Sequence, residues 1–177
     1  MARAAAASRT VRIGYLGLGS NVGDREAHLR TSIGALNRGP IEVEAVSSAY
    51  ESEPVGEVLD QPDFLNAAVR IRTGLEPETL LDRCKEVEIE HGRALSSPRH
   101  SPRPLDVDLL LLGDIEMSIE RLTLPHPEVR KRRFVLEPLL ELDPDLTLPE
   151  GLALADALAS LGAAQRVRRV GPLRRGD

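Results

Sequence analysis

Two carboxylates set two residues apart in an aliphatic stretch are the side chains best placed to do chemistry. They are Asp106 and Asp108, in Pro102-Arg-Pro-Leu-Asp-Val-Asp-Leu-Leu-Leu-Leu-Gly113. Residues 105–112 read as a strand ended by Gly113. Alternation puts Leu105, Val107, Leu109 and Leu111 on one face and Asp106, Asp108, Leu110 and Leu112 on the other. Leucines on both faces predict a central strand covered on both sides. The acids then stand about 7 Å apart on one face, at the mouth of a core. An unpaired carboxylate is costly there, and two repel each other. A divalent cation resolves that conflict, because Mg²⁺ takes hard oxygen ligands and commonly shares them with substrate phosphates. The plainer alternative is an edge strand with two solvated acids; Asp-x-Asp alone is a weak motif.

Basic residues cluster nearby in sequence. Arg93, Arg99 and Arg103, with His91 and His100, flank the segment just before the acids, and Arg130, Lys131, Arg132 and Arg133 form a second cluster. Net charge is −5, and an acidic chain with local basic clusters points to a compact polyanion such as a triphosphate. Guanidinium groups suit that ligand because they bind phosphate oxygens bidentately. General nucleic-acid binding is the poorer fit, since it calls for a basic domain with stacking aromatics, whereas aromatics are 2% of this chain.

Other elements have to position these groups. A first strand over residues 11–18 runs into Gly17-Leu-Gly-Ser-Asn-Val-Gly-Asp24, read as a strand-to-helix turn with Asp24 as N-cap. It is no Walker A loop, having no Lys-Ser/Thr at its end. A helix follows over 25–38, then a strand over 41–50 and an irregular loop to Pro62. Residues 63–71 form a clean strand that sets Phe64 and Asn66 on one face: a flat apolar surface beside an amide with donor and acceptor. The same pair also reads as a core Phe and a strand-end Asn. Residues 77–91 form a second helix with Pro77 in its first turn, Gly92 as its cap and Leu80, Cys84 and Val87 buried. The segment from Arg93 to Pro104, with three prolines and three serines, reads as a mobile lid. Leu122 and Leu124 face inward with Arg121 and Thr123 outward, and two prolines hold His126 beside the second basic cluster. A helix near 152–161 looks peripheral.

At 177 residues with 41% hydrophobic content, the chain is expected to be one domain over 11–165 with a real core. Residues 1–10 read as a disordered tail, and 166–177 as a solvated basic tail. One cysteine, Cys84, excludes an intrachain disulfide. The chain has neither a membrane-length apolar run nor a secretory signal, so a cytoplasmic protein without a membrane partner is expected.

Helices collected between strands predict an α+β sandwich with a mostly antiparallel sheet. Taken together the motifs resemble the 6-hydroxymethyl-7,8-dihydropterin pyrophosphokinases of folate synthesis. The matching stretches are Gly17-Leu-Gly-Ser-Asn21, Tyr50 through Gly56, Asp60 through Ala68, Gly92-Arg93, Pro102-Arg103, Leu105 through Asp108, Leu124-Pro-His-Pro127 and Arg133 through Leu136. They fall in family order across roughly residues 11–149.

The resemblance implies a ferredoxin-like fold and transfer of the terminal pyrophosphoryl group of ATP to the pterin's hydroxymethyl oxygen, releasing AMP. It implies two Mg²⁺ ions on Asp106 and Asp108, and Arg93 and Arg103 as arginines of a closing loop. Arg99, Arg121, His126 and Arg132 match ATP-contacting positions. Lys85 and Glu88 border the nucleotide, while Leu109 and Thr123 line the adenine largely through backbone groups. Phe64 and Phe134, the chain's two phenylalanines, match a pair that sandwiches the pterin, and Asn66 matches the amide that reads its edge. Ser52, Glu53 and Val55 match a loop touching the same ring. The chain departs from the family's lid at Leu95, Ser96, His100, Ser101 and Pro104, which implies altered closure and weaker phosphate clamping. A monomer is expected. Competing readings are a Mg-dependent nucleotidyltransferase, a lid-altered pterin- and ATP-binding relative with weak or no turnover, and a ferredoxin-like RNA-binding or regulatory module. The first is weakened by the long separation of Ser20 from Asp106.

Overall fold

Strand β1 (Arg12–Ser20) is the axis on which the sheet is assembled, paired antiparallel on one side with β4 (Phe64–Thr73) and on the other with β5 (Asp106–Leu112). A computed structural model describes residues 9–55, 60–92 and 102–173. Between β1 and β4 run α1 (Arg25–Leu36), β2 (Ile41–Val46) and β3 (Ser48–Ser52). Then α2 (Pro77–Glu90) leads toward β5. The sheet order is β5-β1-β4-β3, with β2 also paired to β4. With β2 and β3, which both pair with β4, counted as one interrupted strand, this is the βαββαβ path of a ferredoxin-like α+β fold. A small hairpin, β6 (Met117–Ile119) and β7 (Leu122–Leu124), precedes α3 (Arg133–Leu142), α4 (Leu154–Ser160) and β8 (Val167–Pro172).

The expected helices form where their caps predicted. Asp24 accepts the Ala27 N–H at 3.0 Å, Pro77 opens α2, and Gly92 takes a positive φ just past its end. Helices α1 and α2 cover one sheet face over Leu16, Leu29, Ile71 and Leu80; α3 and α4 cover the other over Leu110, Leu136, Leu139 and Leu154. Each of these fully buried aliphatic side chains contributes about 1.5–3 kcal/mol relative to exposure. Buried hydroxyls pin α3 to the sheet: Tyr15 donates to Asp143, and Tyr50 and Ser48 donate to Glu141. Burial, reinforced by those carboxylates, pushes both tyrosines up to about 12. Among the described residues no helix is long and apolar enough to cross a membrane.

Four sequence expectations need correction. The stretch 41–50 is two strands, because at Ser47 the side-chain hydroxyl, not a carbonyl, accepts the Ala68 N–H. Strand β5 is the edge of the sheet, not its centre. Its outer side is closed by non-strand groups instead: the Glu88 carboxylate accepts the Val107 N–H, and the His126 N–H donates to the Leu110 carbonyl. A bulge opposite Tyr15 and Leu16 leaves Leu110 unpaired, so the alternation flips beyond it. Leu112 joins the core under α1 and α2, and Leu111 the core under α3. Lastly, the supposed tail from residue 166 contains β8, antiparallel to β3. Its arginines stay exposed, as expected, but are partnered, Arg168 with Glu51 at 2.8 Å and Arg169 with Ser48 at 2.7 Å.

Candidate active site

The face that carries α3 is left uncovered beyond the first turn of that helix, and the opening is a cleft of about 480 Å³. Its floor is a strip of glycine. In register, Gly19 lies between Asn66 of β4 and Asp106 of β5, and Gly17 between Ala68 and Asp108. The glycines expected in a turn therefore sit inside β1. A Cβ at Gly19 would stand 3.5 Å from Asn66 Oδ1 and 3.6 Å from the Phe64 ring, and one at Gly17 would stand 3.4 Å from Leu110. With hydrogen in their place, the floor between the amide and the acids stays clear.

Three groups of side chains ring this floor. Phe64 and Phe134 stand at one end with Ser52, Glu53 and Val55, and Asn66 lies beneath them. The Asn66 amide donates to the Tyr50 carbonyl and to Ser52 Oγ at 2.8 Å, which fixes its orientation. The acids occupy the middle, with Arg103 3.2 Å from Asp106 and its guanidinium 5.3 Å from the Phe64 centroid. Lys85, Arg121, His126 and Arg132 supply the cations of the lining, with the Arg132 guanidinium 5.7 Å from the Phe134 centroid. Such cation–ring contacts contribute on the order of 0.5–2 kcal/mol.

The electrostatics follow from burial. Loss of solvent, then the charge of Asp106, pushes the Asp108 carboxyl up to about 7, against the pull of Lys85 and Arg132. Burial and then Arg132 hold His126 below its ordinary value. Its Nδ1 accepts the Glu128 N–H at 3.1 Å, so the neutral ring carries its proton on Nε2 and keeps that nitrogen as a donor. Arg121 is shared with α2 through Asp82 and Glu78; to reach a ligand it must leave those carboxylates.

The pair of acids fits a hard divalent cation: two carboxylate oxygen donors, one of them driven toward neutrality for want of charge compensation. Among the described residues no group of three or more His, Cys, Asp or Glu could complete a site alone. Phosphate and water oxygens would suit the remaining ligand positions.

Not every expected residue lines the cleft. Arg93 and Arg99 lie outside the described residues, as do Leu95, Ser96, His100 and Ser101 of the expected lid. The Leu109 side chain is in the core beneath the sheet, and Thr123 is on the hairpin, opposite Ser118. Glu88 is buried rather than facing the cleft; its carboxylate holds the backbone between the two acids and lies 3.3 Å from Lys85. It is a positioning group in this geometry. Asn21 and Gln61 were given no role by sequence reasoning. The buried Asn21 amide donates to Gln61 and to the Pro62 carbonyl, and its oxygen accepts the Arg103 N–H.

A slot between aromatics, an acid pair and a bank of cations in one cleft are the parts of a phosphoryl-transfer enzyme that holds a flat ring beside a polyphosphate. The particular class is shown by comparison. A model of the 7,8-dihydro-6-hydroxymethylpterin-pyrophosphokinase family matches residues 15–144, and the chain belongs to that family. It is 40% identical to the 2-amino-4-hydroxy-6-hydroxymethyldihydropteridine pyrophosphokinase of Pseudomonas aeruginosa, over 82% of this chain and 90% of the relative. Against the protein of the same name from Methylorubrum extorquens it is 46% identical, over 83% and 92%. Among solved structures, a wild-type HPPK-DHPS of Plasmodium falciparum with pterin and p-hydroxybenzoate superposes with a TM-score of 0.67 at 14% identity, over 86% of this chain. An HPPK-DHPS in complex with substrates gives 0.66 at 12%, over 84%. This chain spans less than half of either of those longer chains, and at such identities the likeness is one of fold.

Proposed function

We propose that the chain carries out its family's reaction, moving the pyrophosphoryl group of ATP onto the hydroxymethyl oxygen of 6-hydroxymethyl-7,8-dihydropterin. The observation that carries this reading is the acid pair one strand away from a ring slot, across a floor kept flat by Gly17 and Gly19. The pterin lies between Phe64 and Phe134, with Asn66 reading its amide edge and Ser52, Glu53 and Val55 closing the side. The triphosphate lies along Arg103, Lys85, Arg121, His126 and Arg132. By family resemblance Arg93 and Arg99 are further candidates to contact the phosphates, and backbone groups of Leu109 and Thr123 to border the adenine.

Asp106 and Asp108 would hold two Mg²⁺ ions, whose charge offsets that on the attacking and leaving oxygens when they are bound. The pterin hydroxyl oxygen forms a bond to the β-phosphorus as the bond from that phosphorus to the α-phosphate oxygen breaks. AMP departs with the bridging oxygen, and the hydroxyl gives up its proton to solvent water. This chain supplies position and charge: aromatic walls fix the ring, and fixed guanidinium and ammonium groups meet negative charge as it shifts toward AMP. In this reading the chain acts as a monomer in the cytoplasm, with ATP and the pterin as its partners and no nucleic acid.

The test is incubation of the protein with ATP, Mg²⁺ and the dihydropterin, with nucleotides resolved by chromatography. AMP is expected in step with a pterin diphosphate, and Asp106→Ala is expected to abolish both. Release of inorganic pyrophosphate instead would make the chain a nucleotidyltransferase. Tight binding of both ligands with no AMP would mark a relative disabled at its lid.

A further inference from the structure

Arg132, read as a phosphate contact, and Phe134, read as a wall of the ring slot, both come from the start of α3, with the guanidinium 5.7 Å from the ring centroid. That helix start has a structural problem. The N-cap position is Arg132 itself, in extended conformation, and its side chain makes no capping hydrogen bond; it is committed to the cleft. Side chains at this position ordinarily accept one of the orphan N–H groups that open a helix. Here the acceptor comes from elsewhere. Gln165 Oε1 takes the Arg133 N–H at 2.8 Å, and Gln165 Nε2 donates to the Lys131 carbonyl, also at 2.8 Å. A single amide thus grips the backbone on both sides of Arg132. The Arg133 side chain adds a second tie to the same segment, donating to the Gly162 carbonyl, and is itself held by Glu137 one turn along α3.

We propose that Gln165 is a positioning residue of the active site, capping α3 in trans and thereby setting Arg132 and Phe134 against the bound ligands. The segment that carries it is itself anchored. From Val167 onward it is β8, whose first pair is with Ser52 on the cleft wall. The C-terminal segment therefore registers two walls of the ring slot at once, Phe134 through Gln165 and Ser52 through the strand pairing. Residue 165 lies beyond the stretch matched by the family model, which ends at residue 144, so no role reaches it from that match. The inference rests on the pterin-slot reading above.

Gln165→Met keeps volume and removes both hydrogen bonds; Gln165→Glu keeps the acceptor for the Arg133 N–H and loses the donor to Lys131. Dihydropterin and ATP dissociation constants, steady-state constants and melting temperature are measured for both variants and the parent. For Gln165→Met the pterin dissociation constant and KM are expected to rise about tenfold with kcat less affected, because the ring wall is displaced by a fraction of an ångström. Gln165→Glu is also expected to weaken the pterin, because it sets a carboxylate oxygen against the Lys131 carbonyl. Parental pterin affinity in both folded variants overturns the proposal, whatever the melting temperature does, since that result leaves the amide a role in stability alone. Should Gln165→Met not fold, Gln165→Glu decides: weakened pterin affinity supports the proposal and parental affinity overturns it. A parent protein that binds no dihydropterin would overturn the slot reading instead, and this inference with it.

Discussion

Asp108→Asn is expected to lower turnover by about three to four orders of magnitude while making the metal-free protein more stable than its parent at pH 8. The two effects share one cause. Burial and the neighbouring charge of Asp106 push the Asp108 carboxyl up to about 7, above its value in the unfolded chain. The folded state therefore holds more protons than the unfolded state between about pH 4 and 7, and stability falls as pH rises through that window. Above it the parent bears the full cost of a poorly solvated charge on Asp108 beside that of Asp106. Asparagine fills the same volume without the charge, so it recovers roughly 1–3 kcal/mol, or about 3–10 °C in melting temperature for a chain this size. That advantage should shrink toward pH 4, where the parent's carboxyl is protonated too.

Adding Mg²⁺ with nucleotide should reverse the order, stabilising the parent and leaving the variant nearly unmoved. Calorimetric melts at pH 5 and pH 8, with chelator or with Mg²⁺ and a nucleotide, check all of this. A variant less stable than the parent in chelator at pH 8 would make Asp108 a structural acid and remove it from the metal site.

This tension was legible in the sequence because it is local: two acids on one face of a leucine-rich strand can be found by counting. The Phe64 and Asn66 pair was legible for the same reason. What failed depended on neighbours. The leucines of β5 announce burial on both faces, and burial was read as centrality. Nothing local says that Glu88, 19 residues away, satisfies Val107 at a sheet edge, nor that a bulge at Leu110 flips the leucines after it.

The arginines of β8 read as a tail because each has its partner more than a hundred residues upstream: Arg168 reaches Glu51 across 117 positions and Arg169 reaches Ser48 across 121. The glycines of β1 were assigned to a turn, since a glycine kept for an empty floor and one kept for a bend look alike in sequence. Only the paired strands, which bring Asn66 and Asp106 to either side of Gly19, tell them apart.

Asn21 is the other residue whose loss should be felt far beyond its size. Asn21→Ala is expected to reduce kcat/KM by about a hundredfold, the loss anticipated when three hydrogen bonds of roughly 1 kcal/mol each hold a geometry that catalysis needs. The side chain is 2% exposed, and its polar atoms are all engaged. It donates to Gln61 at 2.9 Å and to the Pro62 carbonyl at 3.1 Å, and accepts the Arg103 N–H at 2.9 Å, while its own N–H donates to the Arg103 carbonyl. One amide therefore joins the loop that ends at Phe64 to the segment that delivers Arg103 and then Asp106.

The consequence is a pattern, not only a magnitude. Phe64→Ala should weaken the pterin and spare ATP, whereas Asn21→Ala should weaken both, because both segments lose their common anchor. Asn21→Asp sharpens the test. It keeps the acceptor for Arg103 and turns the two donated bonds into contacts between oxygens, so the pterin loop should suffer more than the phosphate side. Calorimetric titration of each variant with each ligand separates these cases. If Asn21→Ala bound both ligands as the parent does and lost only melting temperature, the amide would be a staple of the fold, and the alignment of ring slot and acid pair would have to come from the glycine-floored sheet alone.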